Sequence, residues 1–277
     1  MDHGNGTGAG RRARPLLAAL LLVATLPAAA HDFWIEPEPF TATTAVSVAV
    51  TLRVGEHFSG ESVPYISDWV ERFEAHDGQG VRALGEQIGD DPAARLELRA
   101  PGPTWVLYQS RDDFVELPPE KFRDYLALEG MEYVLPLRAA RGQAERVARE
   151  YYVRCAKALL RRSGAPSGSG LEPTLPLGLT LEIVPLQDPH GLAPGAPLEV
   201  QVLHRGQPVA GLLLKAFTRE APGQELRQRT AADGRARLLL DRPGQWLVKT
   251  VHMLPVDGDR YAEWRSYWAS LTFALGD

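Results

Sequence analysis

The chain has 277 residues, a net charge of −5 and a single cysteine, Cys155. That length suits one large domain or two of ordinary size. Mild acidity with no basic stripe excludes a nucleic-acid-binding surface, and one cysteine excludes an intrachain disulfide, so stability has to come from burial.

At the start, Arg11, Arg12 and Arg14 precede an apolar run from Leu16 to Leu26, followed by Pro27 and three alanines. A basic region, an apolar stretch too short to span a bilayer and a small-residue cleavage site make a signal peptide over residues 1–30. Cleavage is expected after Ala30, with a periplasmic destination and no transmembrane helix in the mature protein. Ala13-Arg14-Pro15 continues the Arg11-Arg12 pair poorly for twin-arginine export, so ordinary Sec export is expected. The mature chain then begins at His31. A leading histidine can bind one ion through both its free α-amine and its ring Nδ1, and both groups lose their protons near neutral pH. A site built from the amine, two backbone amides and a histidine in third place is excluded, because the third mature residue is Phe33.

Downstream, Ala45–Val54 alternates Val46, Val48, Val50 and Leu52 with smaller or polar residues, the period of a strand, and runs into Gly55-Glu56-His57-Phe58. Further strands are predicted at Val70–Ala75, Ala94–Arg99 and Thr104–Gln109, separated by Asp77-Gly78 and Pro101-Gly102-Pro103. The pattern changes at Leu117-Pro118-Pro119: proline at a first helical turn and Gly130 as a stop predict a short helix. A longer helix is predicted from Gln143 to Arg162, holding Cys155 as a small packed residue. Ala165-Pro166-Ser167-Gly168-Ser169-Gly170 reads as a connection. Beyond it, strands are predicted at Leu179–Val184, Leu198–His204, Val209–Phe217, Ala236–Leu240, Gln245–His252 and Tyr267–Ala274. Turns such as Asp188-Pro189-His190-Gly191 and Ala232-Asp233-Gly234 separate them. The fold class is mainly β: two antiparallel, immunoglobulin- or prealbumin-like β-sandwich portions. The first spans 31–170 with a helical insertion at 118–162, and the second spans 171–277.

Ala30-His31-Asp32-Phe33-Trp34, Gly55-Glu56-His57-Phe58, Glu116-Leu117-Pro118-Pro119-Glu120-Lys121-Phe122, Arg149-Glu150-Tyr151-Tyr152, Ala156-Lys157-Ala158-Leu159, Pro243-Gly244-Gln245-Trp246-Leu247 and Val251-His252-Met253 together resemble an exported bacterial family. It is the one known as domain of unknown function 4198, described as a periplasmic component of nickel or cobalt uptake. The likeness runs from His31 to Phe273. It implies a metal ion as ligand and an inner-membrane metal transporter as partner. Cys155 stands where that family is expected to carry an aromatic residue, which argues against a shared role for the thiol.

Imidazole nitrogen suits late transition metals, and sites gather residues distant in sequence. His31, His57 at a strand end and His252 at the end of Gln245–His252 are the candidate ligands, for nickel, cobalt or copper. Asp32, Glu56 and Glu263 are candidate partners for the imidazole N–H groups. His76 and His190 read as turn residues and His204 as a solvated hairpin flank. With no phosphate loop, nucleophile elbow, Cys-x-x-Cys or His-Glu-x-x-His, no catalysis is expected. Two alternatives remain open: a carbohydrate-binding or adhesion module using Trp34, Trp246, Trp264, Tyr267 and Trp268, and a copper oxygenase built on the leading histidine.

Overall fold

The computed structural model describes Met1, residues 31–164 and residues 171–276; the expected leader and the connection at 165–170 lie outside the described residues. The first part of the chain forms strands β1 (Asp32–Glu38), β2 (Thr41–Ala42), β3 (Val46–Glu56), β4 (Ser59–Val63), β5 (Val70–Asp77), β6 (Gly80–Ala83), β7 (Ala94–Leu98), β8 (Gly102–Ser110) and β9 (Asp113–Leu117). Helices α1 (Pro119–Leu128) and α2 (Val134–Ala140) follow, and then β10 (Ala148–Arg162). The remainder supplies β11 (Leu181–Pro185), β12 (Pro197–His204), β13 (Gln207–Pro208), β14 (Leu213–Thr218), β15 (Leu226–Arg229), β16 (Arg235–Leu239), β17 (Gly244–Pro255) and β18 (Trp264–Leu275).

These strands make three layers. The middle one is a ten-stranded sheet in the order β15-β14-β17-β18-β10-β8-β5-β6, with β2 and β9 also on β10. One four-stranded sheet, β1, β3, β4 and β7, covers one face; another, β11, β12, β13 and β16, covers the opposite face. Both expected sandwiches are present, and they share the middle layer. β10 and β18, from either side of the expected boundary at 170, pair in parallel from Glu150–Trp264 to Ala158–Thr272.

The long helix predicted at Gln143–Arg162 is a correction: most of that segment is β10. Ala156, Ala158 and Leu160 pack under the first outer sheet, and Val153, Cys155 and Leu159 under the second. A strand buried on both faces shows a nearly continuous apolar run in which alternation is masked, and such a run is easily mistaken for a buried helix. The shorter expected helix is there as α1, and Gly130 closes it with φ +70°, a conformation a side chain would disfavour.

α1, α2 and the turn between them bury Phe122, Tyr125, Leu126, Met131 and Val134 against Val251, Met253 and Trp264. They therefore roof one end of the same middle-sheet face that the β1–β3–β4–β7 sheet covers elsewhere. Where the two roofs meet there is a seam, and the chain enters it at His31.

Candidate functional site

Register places His31. β1 pairs antiparallel with β3 from Asp32–Gly55 onward, so His31 lies one step beyond the last pair, beside Glu56, with Nδ1 3.6 Å from Glu56 Oε1. β3 turns into β4 through His57 and Phe58, whose φ angles of 51° and 62° are both left-handed. Two-residue hairpins need this geometry but normally use Asn or Gly for it. Here packing holds the turn: Phe58 is buried, edge-on to Trp34 at 5.6 Å, with the Arg219 guanidinium 4.5 Å above its ring. Gly55 and Gly60 face each other at the hairpin neck, where a Cβ on Gly55 would run into the Ser59 carbonyl oxygen. His57 is exposed, its ring edge-on to Phe217 at 5.4 Å.

Next to His31, Asp32 is buried and ion-paired with Lys249 of β17. Lys249 also reaches Glu129 at 3.0 Å, and Glu129 reaches Lys215 at 3.3 Å. Burial works against the Lys249 ammonium, but the attraction of Asp32 and Glu129 prevails and raises its pKa. Two carboxylates and two ammonium groups thus tie the first strand to the end of α1 and to the middle sheet.

A cavity of about 90 Å³ opens in the seam, lined by His31, Tyr125, Glu150, Tyr152, Arg154 and Trp268 among others. Tyr125 stacks on Trp268, the rings 5.6 Å apart and 5° from parallel. Glu150 is the residue that sequence reasoning missed. It points to the interior face of β10, where its Oε1 accepts hydrogen bonds from the Tyr125 hydroxyl at 3.1 Å and from the Ser266 hydroxyl. Its Oε2 is buried and has no hydrogen-bond partner among the described residues; the same holds for His31 Nδ1. Burial pushes the Glu150 carboxyl up to about 7, against the opposing pull of the Ser266 and Tyr125 hydroxyls. A buried carboxylate with a free oxygen beside an open space favours a proton or a cation.

The other predicted site residues fall elsewhere. His252 is a correction to the three-histidine arrangement. On β17 it has the opposite parity to Lys249 and Val251, so its ring lies across the middle sheet from Asp32, against His204. Glu263 accepts from Arg149, through the backbone N–H at 3.1 Å and the guanidinium at 2.6 Å, and orients no histidine. Of the expected carboxylate partners, only Glu56 lies against a candidate ligand. Among the described residues no three His, Cys, Asp or Glu side chains converge as a metal cluster. Trp34, Trp246, Trp264 and Tyr267 are core residues and Trp268 is half-buried, so these rings form no stacked outer face for a sugar. His204 is half-buried instead of solvated. Cys155 is packed in the second sandwich's core, its Sγ 3.7 Å from Gln109 Oε1, and burial pushes its thiol up to about 12.

A family model described as a domain of unknown function, DUF4198, matches residues 28–254. The chain belongs to that family. The DUF4198 match takes in His31, Glu56, His57, Glu150, His204 and His252, and ends before Glu263 and Trp268. No curated protein matches the chain. Among solved structures, the D0-D1 domain of Intimin is similar at 13% identity over 87% of this chain and 97% of that one, with a TM-score of 0.19.

Proposed function

We propose that this chain is an exported, non-catalytic metal-binding protein that holds a nickel, cobalt or copper ion in the seam and serves an inner-membrane uptake system. One observation carries the reading: His31 Nδ1 and Glu150 Oε2 are both buried, both without hydrogen-bond partners among the described residues, and both belong to residues lining one small cavity. Imidazole nitrogen with carboxylate oxygen is a donor set that late first-row metals accept. The cluster lacks donors as it stands. Removal of the leader after Ala30 would add the α-amine of His31, and Glu56 stands beside the imidazole to orient it or to ligate. His57 follows Glu56 on the adjacent turn and is exposed, which supports it as a further ligand from the solvent side. Among the described residues no helix is long and apolar enough to cross a membrane, which accords with a protein that hands its ion to a separate transporter.

The test is isothermal titration of Ni²⁺, Co²⁺ and Cu²⁺ into protein beginning at His31, with native mass spectrometry to count bound ions. At least one ion per chain is expected, one of them held in the seam. Glu150→Gln, and separately one extra residue ahead of His31, should each weaken binding by more than about tenfold while the fold stays intact. Absence of binding, or affinity for the seam ion undiminished from the parent's in both altered chains, refutes the proposal.

A further inference from the structure

His252, displaced from the seam by strand parity, meets another histidine. Its ring and that of His204, which ends β12 of the second outer sheet, stand edge to face with centroids 5.3 Å apart. His204 also lies 4.8 Å from the Tyr267 ring. The tautomer of His252 follows from Tyr133. That hydroxyl donates its single proton to the Met253 carbonyl oxygen at 3.0 Å and accepts from the Met253 N–H at 2.9 Å. Towards His252 Nδ1, 3.3 Å away, it can only accept, so Nδ1 carries the ring proton. His252 Nε2 is therefore an unprotonated lone pair. His204 Nε2 is buried and has no hydrogen-bond partner among the described residues.

A metal-ligating histidine commonly spends its other ring N–H on a fixed acceptor, as Nδ1 of His252 does on Tyr133. With metal–nitrogen bonds of about 2.0–2.1 Å, two imidazoles on one tetrahedral ion have ring centres about 5 Å apart, close to the observed separation. Both rings are neutral near pH 7: burial, and after it the Arg205 charge, lowers the basicity of His204, and burial, and after it His204, lowers that of His252. A groove of about 390 Å³, lined by Tyr133, Gly211, Leu212 and His252 among others, opens on the His252 side of the pair.

We propose that His204 and His252 form a second, separate metal site, a two-imidazole site completed by water that takes a late transition-metal ion through the two Nε2 atoms. Tyr133 is its positioning residue. The site shares no side chain with the seam and needs no processing of the N-terminus.

Cobalt(II) alone is the probe, added to the full chain with its N-terminus extended beyond His31 and with Glu150→Gln, so that the seam is disabled. Proton NMR of the imidazole signals should show large contact shifts of both His204 and His252 at one equivalent, with only small through-space shifts at His57, His76 and His190. His204→Asn and His252→Gln should each lower cobalt affinity by more than about tenfold, and Tyr133→Phe by a smaller factor, with unfolding transitions like the parent's. Failure of the two ring signals to shift together in the parent overturns the site without help from any variant. Undiminished affinity in both histidine variants overturns it as well.

Discussion

Glu150→Gln separates a titrating buried carboxyl from an inert one. An unfolded glutamate loses its proton near 4.5, whereas the folded Glu150 holds it to about 7. Below about pH 4.5 both states are protonated and the group has no effect. Between 4.5 and 7 the unfolded chain ionises while the folded chain resists, so stability falls as pH rises, and above 7 the loss levels off. The gap corresponds to about 3 kcal/mol at its plateau. Glutamine keeps the shape and an oxygen for Tyr125 and Ser266 but cannot ionise. Urea denaturation from pH 5 to pH 8 should show the parent losing stability across this window and the variant losing less, so that the variant is more stable at pH 8 by up to about 3 kcal/mol. Nickel added at pH 8 should recover part of the parent's loss and stabilise the variant less than the parent. Parallel pH profiles for the two chains would show that Glu150 does not titrate in the window, and the argument for an unmet cation in the seam would fail with it.

Lys249→Met leaves Asp32 and Glu129 buried with only Lys215 to answer them, and should cost about 3–5 kcal/mol at neutral pH, less in acid where carboxylates take up protons; urea midpoints at pH 7 and pH 5 check both parts. Phe58→Ala removes the anchor of a left-handed turn and should cost about 3–5 kcal/mol, with faster amide exchange in β3, β4 and β1 than elsewhere; uniform exchange changes would contradict the anchoring role. Cys155 should resist thiol reagents in native buffer and react on unfolding, because its buried thiol ionises only at about 12; fast native labelling would contradict that burial.

Much of the layered fold was legible. Val46, Val48, Val50 and Leu52 alternate because only one face of β3 is buried, and the turns between the later strands carry glycine or proline where the backbone needs it. β10 was not legible, because the alternation of Ala156 and Ala158 with Cys155 and Leu159 vanishes when both faces are apolar. That one misreading hid Glu150. Taken as a strand, the same segment puts Glu150 in phase with Ala148, Ala156, Ala158 and Leu160, and a carboxylate among those residues is a signal in itself. The proximity of His31 to Glu56 depended on which strand β1 pairs with and in what register, and no local pattern specifies either. Period-two spacing puts His252 in phase with Trp246, Val248 and Thr250 along its own strand; no local pattern says that the N-terminal sheet docks on the other side.

Because β10 and β18 are neighbours in one sheet, neither sandwich has a complete wall of its own. A fragment ending before residue 171 would leave β10 with a naked edge along most of its length, and the remaining fragment would carry the matching edge of β18. Such halves should aggregate or recombine instead of folding alone, and the intact chain should melt in a single cooperative step. The two histidine regions on opposite faces of that sheet are therefore mechanically joined: whatever distorts one has a rigid plank through which to reach the other.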